Sequence, residues 1–150
     1  MIRKLTRKDN LSIYEFVSRV SNTYQDFYIT KDKQRVFLTD RKLIDKILRY
    51  QDVYAVDDAG TFRAILLVYR EKGFRPYIRI LAEKNNYIYD LLKFLNWQYN
   101  CEFFIKVKKT NPIAKICQRF FWEFCGNRGE EILFVHKRWE KKHDNHYIKA

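Results

Sequence analysis

The chain has 150 residues, 47% of them hydrophobic and 17% aromatic, with 30 Lys+Arg against 18 Asp+Glu and a formal net charge of +12. That length and apolar content suit one domain with its own core. Charges interrupt every apolar run, so none approaches the roughly 20 residues that span a bilayer. Met1 to Lys8 already carry Arg3, Lys4 and Arg7 and lack the apolar stretch of a secretory signal, so an intracellular, cytoplasmic protein with no membrane partner is expected.

Ile2 to Thr6 reads as a short strand, and Asp9 or Asn10 caps a helix with Leu11, Tyr14, Val17 and Val20 on one face. From Thr23 to Thr39 the aromatics are broken by Lys31-Asp32-Lys33-Gln34-Arg35, which reads as a loop with a short helical or extended piece. Asp40 then caps a helix to about Tyr50 whose stripe is Leu43, Ile44, Ile47 and Leu48. A meander of three antiparallel strands follows: Val53 to Val56, Thr61 to Glu71 and Tyr77 to Ala82. Its turns are Asp57-Asp58-Ala59-Gly60, where glycine supplies a positive φ, and Lys72 to Pro76.

Asn85 or Asn86 caps the next helix, which runs to about Gln98 with Ile88, Leu91, Leu92 and Leu95 inward; Cys101 to Val107 is a strand. Asn111-Pro112 starts a helix expected to reach Phe124 and stop at Gly126, because asparagine accepts from first-turn amides and proline suits the first helical position. Glu131 to Lys137 closes the fold, giving a domain over residues 1–138 and a polar basic tail over 139–150.

Cys101, Cys117 and Cys125 are odd in number and sit among apolar neighbours, which argues for free buried thiols rather than a disulfide framework. His143 and His146 lie in the charged tail, and no metal site is expected. The excess of positive charge suits a polyanion: nucleic acid, an anionic protein partner or the phosphates of a coenzyme. Arg3, Lys4, Arg7 and Lys8, with Lys106, Lys108, Lys109, Lys137, Arg138, Lys141 and Lys142, are the clusters a nucleic-acid binder would use.

The order of elements, with Phe-Phe-Ile-Lys-Val-Lys-Lys-Thr-Asn111-Pro-Ile-Ala114 as its most specific piece, resembles the GNAT acetyltransferase superfamily from Ile2 to Lys137. The resemblance implies an α/β (α+β) fold: a mixed, mostly antiparallel sheet flanked by helices. It also implies transfer of an acetyl group from acetyl-CoA to an amine acceptor. In the family a Gln/Arg-x-x-Gly-x-Gly/Ala loop holds the coenzyme; the corresponding stretch here, Leu81 to Tyr87, contains no glycine.

By resemblance the coenzyme site falls on Lys84, Asn85, Asn86, Tyr87 and Ile88, with Asn111 on the later strand-to-helix turn. Glu83 is the expected base, ahead of Glu71, since it follows the apolar strand Ile78 to Ala82. The family's acid, a tyrosine seven residues after the asparagine, is Gln118 here, and the Gly-Phe after it reads Trp122-Glu123; Tyr99 and Tyr77 are the substitutes to consider. Two functions follow from this pattern. One is a divergent acetyl-CoA-dependent N-acetyltransferase. The other is a GNAT-like binding or structural protein without chemistry, such as a phage virion or scaffold component.

Overall fold

The computed structural model describes residues 1–21, 27–31, 34–70, 76–99, 101–119 and 122–136. In chain order it contains β1 (Ile2–Lys4), a 3-10 turn (Arg7–Asp9), α1 (Asn10–Val20), β2 (Tyr28–Lys31), β3 (Gln34–Phe37), α2 (Arg41–Tyr50), β4 (Asp52–Asp58) and β5 (Thr61–Arg70). The second half contains β6 (Pro76–Ala82), α3 (Asn85–Gln98), β7 (Phe103–Lys108), α4 (Ile113–Arg119), β8 (Glu123–Arg128) and β9 (Glu131–His136). Seven strands form one sheet in the order β1-β4-β5-β6-β7-β9-β8, while β2 and β3 pair as a separate hairpin. Among the sheet's pairings β6–β7 alone is parallel, made through the α3 crossover that parallel neighbours require.

Apolar side chains occupy both faces of the central strands, and helices cover both. Leu66, Ile78 and Ile105 pack with Leu91 and Leu95 of α3 and Ile116 of α4. On the other face Ile65, Leu67 and Leu81 pack with Phe16 and Val17 of α1 and Ile44 of α2. β5 is accordingly buried almost end to end, as a strand covered twice must be. β7 alternates instead, with Phe103, Ile105 and Val107 buried and Phe104, Lys106 and Lys108 half-buried. The turn between β4 and β5 has Ala59 and Gly60 both at positive φ (51° and 93°), and Asp57 Oδ1 accepts from the Gly60 amide at 2.8 Å.

Several expectations hold. Asp40 caps α2 through an Oδ1 bond to the Lys42 amide at 2.8 Å, and the meander of β4, β5 and β6 forms as read. Others need correction. The buried face of α1 is Asn10, Ile13, Phe16 and Val17, and Leu11 is exposed. Ile13, Phe16 and Val17 recur at helical spacing in the core, Tyr14 and Val20 pack partly against it, and the Asn10 side-chain amide joins α2 by donating to the Arg41 carbonyl at 2.8 Å and to Asp45 at 2.7 Å. Asp9 accepts from the Thr6 amide at 2.9 Å and gives α1 no side-chain cap. The region expected as a loop contains the β2–β3 hairpin.

α4 stops at Arg119, and residues 123–128 form β8 rather than more helix, because their backbone pairs with β9 from Glu123↔Val135 to Arg128↔Glu131. The residue preceding α3 at its cap is Lys84, not Asn85 or Asn86. Residues 71–75, the Lys72 turn among them, and the 139–150 tail lie outside the described residues.

The parallel ladder is short. β6 matches β5 at seven positions from Ala64↔Ala82 to Arg70↔Pro76, but matches β7 at Tyr77↔Phe104 and Ile78↔Ile105 alone. Where the rungs end, the Arg79 guanidinium donates to the Lys106 carbonyl, stands 3.7 Å from Glu131 of β9 and lies 3.9 Å above the Tyr28 ring. Both ionic groups are buried, and a charge left in the interior without its partner is strongly destabilising. Arg79→Met is therefore expected to lower the unfolding free energy by about 3 kcal/mol. In urea titrations, Arg79→Met/Glu131→Leu should recover part of that loss; equal loss in both would deny the pair this role.

Candidate functional site

The crevice beyond the carboxyl ends of two parallel strands is where open sheets with crossover helices place ligands. Here that region lies between the end of β6 and the end of β7, and the chain passes from β6 into α3 through Glu83 and Lys84. The first amides of an α-helix have no partner within it and carry the positive end of its dipole. At α3 the Lys84 side chain makes no cap bond and the first turn holds no acidic residue, while Glu83 just before it is engaged by Arg19 and Arg63.

Lys84, Asn85 and Asn86 are thus gathered at one helix terminus, with Lys84 and Asn85 flanking the junction. Tyr87 is partly buried against the core, its amide donating to the Lys84 carbonyl at 3.2 Å. Ile88 points its side chain into the core, so an incoming anion could use its backbone alone. Asn111 stands past the end of β7. Its Oδ1 accepts from the Ile113 amide at 3.0 Å and its own amide donates to Lys108 at 2.9 Å, so it serves as the cap of α4. Beside that turn Lys108, Lys109, Thr110, Gly129 and Glu130 line a cavity of about 710 Å³.

Glu83 is not a bare carboxylate. Arg19 of α1 approaches one oxygen at 2.6 Å and Arg63 of β5 the other at 3.3 Å, while the Glu83 amide donates to the Arg63 carbonyl at 3.0 Å. Burial disfavours its charge, but the two guanidiniums outweigh burial and hold the carboxyl below its ordinary range. Glu71 lies outside the described residues.

The tyrosines considered as acids sit elsewhere. Asp52 matches Val68, which matches Ile78, whereas the far end of β6 is at Ala82. A site beside Asp52 is therefore four residues, roughly 13 Å, back along the sheet from the Glu83 end. Tyr99 is at that back end: its hydroxyl donates to Asp52 at 2.8 Å and shares a 2.7 Å bond with Tyr54. Burial, the Tyr54 bond and the Asp52 carboxylate together push its pKa far above that of a free phenol. Tyr77 stacks on Tyr69 with ring centroids 5.9 Å apart, and the Lys106 ammonium lies 4.9 Å from its ring. Gln118 is exposed on α4.

Cys117 is buried, its thiol pushed up to about 12 by burial, which removes it as a thiolate nucleophile at neutral pH. Among the described residues no group of three or more His, Cys, Asp or Glu is placed to hold a metal ion, and no helix is long and apolar enough to cross a membrane. His143 and His146 lie outside those residues.

Sequence reasoning missed Arg19, Arg63 and Arg79. For Arg79 a signal existed, since a lone arginine interrupts the apolar run Tyr77-Ile-Arg-Ile-Leu-Ala82. For Arg19 and Arg63 none did, because their common partner is brought to them by packing.

No family model and no curated protein matches the sequence. Solved structures do. An N-acetyltransferase from Staphylococcus aureus Mu50 aligns with a TM-score of 0.68 at 16% identity, over 92% of this chain and 97% of its own. An acetyltransferase of the GNAT family from Streptococcus pneumoniae aligns at 0.65 and 13% identity, over 91% and 98%. The yncA protein from Salmonella typhimurium, solved with its cofactor acetyl-CoA, aligns at 0.69 and 9% identity, over 92% and 93%. These likenesses extend along nearly the whole chain while the identity stays low, and the chain has the fold of the GNAT acetyltransferases.

Proposed function

We propose that this protein is a divergent N-acetyltransferase that takes the acetyl group of acetyl-CoA and passes it to an amine. The observation that carries the reading is the parallel β6–α3–β7 unit: its ladder ends after two matched pairs, and the uncapped amide end of α3 stands at the end of β6. A GNAT fold neighbour holding acetyl-CoA supports that choice of acyl donor.

Acetyl-CoA carries its acyl group as a thioester and brings phosphates that must be bound away from it. The donors present suit those phosphates by charge: Lys84 supplies an ammonium, and the first-turn amides from Asn85 to Ile88 supply the positive helix end. With no glycine from Leu81 to Tyr87, Cβ atoms restrict backbone approach, so Lys84 carries more of the binding than a glycine loop would require. Asn111, spent as a cap, contributes by fixing the turn opposite.

Glu83 is the proposed base. Arg19 and Arg63 keep it ionised at neutral pH, ready to accept a proton, and their pull also weakens its proton affinity. The acidic limb of the rate profile should therefore reflect Glu83 only below pH 4.5, the ordinary value for its type.

Calorimetric titration with acetyl-CoA at moderate salt, beside a simple polyanion control, tests the reading. Saturable micromolar binding absent from the control is expected, weakened in Lys84→Gln. No binding would instead favour the second reading, a GNAT-fold binding or structural protein, which has its own support in the exposed Gln118 and in Tyr99 being held at the back of the sheet.

Glu83→Gln should reduce acetyl transfer by about 100-fold or more with acetyl-CoA affinity kept; full transfer would discard Glu83 as base. The same variant should be less stable than the parent at pH 7. A carboxyl with a depressed folded pKa stabilises above its unfolded value and loses that contribution as pH falls through the folded one, so the gap should close in acid. Urea midpoints at pH 7 and pH 3 check this.

A further inference from the structure

We propose that the cavity between the start of α1 and the first turn of α2 binds a phosphate-bearing small molecule, separately from the crevice at the end of β6. Arg7, Lys8, Asn10, Arg41, Lys42 and Asp45 line this concavity of about 520 Å³. Several of the chain's cations are already neutralised by carboxylates. Arg3 stands 2.9 Å from Asp9 and 2.7 Å from Asp57, and Lys4 is 3.0 Å from Asp52. Arg19 and Arg63 share Glu83. Of the amino-terminal basic cluster, then, Arg3 and Lys4 are already spent.

At the cavity the balance is different. Four cations face one carboxylate, Asp45, which lies 3.9 Å from Arg7. Among the described residues no ion pair ties Lys8, Arg41 or Lys42 to a carboxylate. The Asp40 cap is engaged with the Lys42 amide at the start of α2, and the first turn of neither α1 nor α2 contains an acidic residue that would offset these side-chain cations. A bound anion relieves the repulsion among these cations.

The site is also built rather than a chance gathering of side chains. Asn10 is 6% exposed and uses its whole carboxamide to join the two helices: Nδ2 donates to the Arg41 carbonyl and to Asp45, and Oδ1 accepts from Arg41 Nε at 2.8 Å. Fixing Nε sets the plane of the guanidinium and leaves its terminal NH2 groups to donate in parallel, the geometry that suits a phosphate. One oxygen of Asp45 is engaged by the same asparagine and the other lies 3.9 Å from Arg7, so the acid lining the cavity neutralises at most part of its charge. Donors meeting in one concavity, rather than along a stripe, fit a compact di- or triphosphate group better than a nucleic-acid backbone.

Titration with inorganic tripolyphosphate at fixed ionic strength, followed by calorimetry, tests this. One-to-one saturable binding is expected, weakened about tenfold or more in Arg41→Gln/Lys42→Gln, since hydrogen bonds to charged groups are the strong ones. Both side chains are exposed, so the double variant should fold, with an unchanged circular dichroism spectrum as the check. Binding should survive in Lys84→Gln, and acetyl-CoA affinity should survive in the double variant. The two sites therefore stand or fall independently. Absence of tripolyphosphate binding, or binding lost in Lys84→Gln but kept in the double variant, would overturn the proposal. So would tight binding of duplex DNA, sensitive to the double variant, by a protein indifferent to tripolyphosphate.

Discussion

A backbone must pair wherever it is buried, and β6 meets that demand unequally on its two sides. Against β5 it is matched along its whole length; against β7 it is matched at two positions. The candidate site at the end of β6 lies where that inequality leaves the ladder open. The same inequality ends the ladder early, brings Glu83 and the amide end of α3 to the end of the strand, and leaves the Lys106 carbonyl to be reached by Arg79.

Charge is the second organising feature. The net excess of +12 suggests a surface of undifferentiated positive field, but the described cations fall into two kinds. Arg3, Lys4, Arg19 and Arg63 are structural, each holding a strand or helix to a carboxylate on another element. Lys8, Arg41 and Lys42 have no such partner, and Lys84 stands at a helix end without an acid. Polyanion attraction is a property of the second kind, since a paired cation presents little field beyond its partner.

The chemistry of the candidate site is correspondingly lean. It has cations and amides to bind phosphates and a carboxylate held ionised. The phenols that would donate a proton lie at the back of the sheet, tied into Asp52 or into an aromatic stack. Such a site favours reactions whose leaving group can depart as an anion, and a thiolate is a good anionic leaving group, so a missing acid costs less for a thioester than for an ester or amide.

Local signals in the sequence were enough for most elements. Asp40 before an apolar 3.6-residue stripe, Ala59-Gly60 between β-rich runs and Asn111 before Pro112 each mark a boundary through chemistry contained within a few residues. The resemblance in element order carried the fold, and Glu83 to Ile88 were correctly located at a strand-to-helix junction. Tertiary structure decided what depends on residues far apart. The helix expected to reach Phe124 stops at Arg119 instead, and from Glu123 the backbone finds partners on β9 and becomes strand. The contact of α1 with α2 is made by Asn10, a polar residue that the apolar stripe of the helix does not mark. Glu83 looks like a free strand-end carboxylate until Arg19 and Arg63, 64 and 20 residues away, close on it. Periodicity reports what one segment prefers, whereas pairing, burial and ionisation belong to the neighbours that folding supplies.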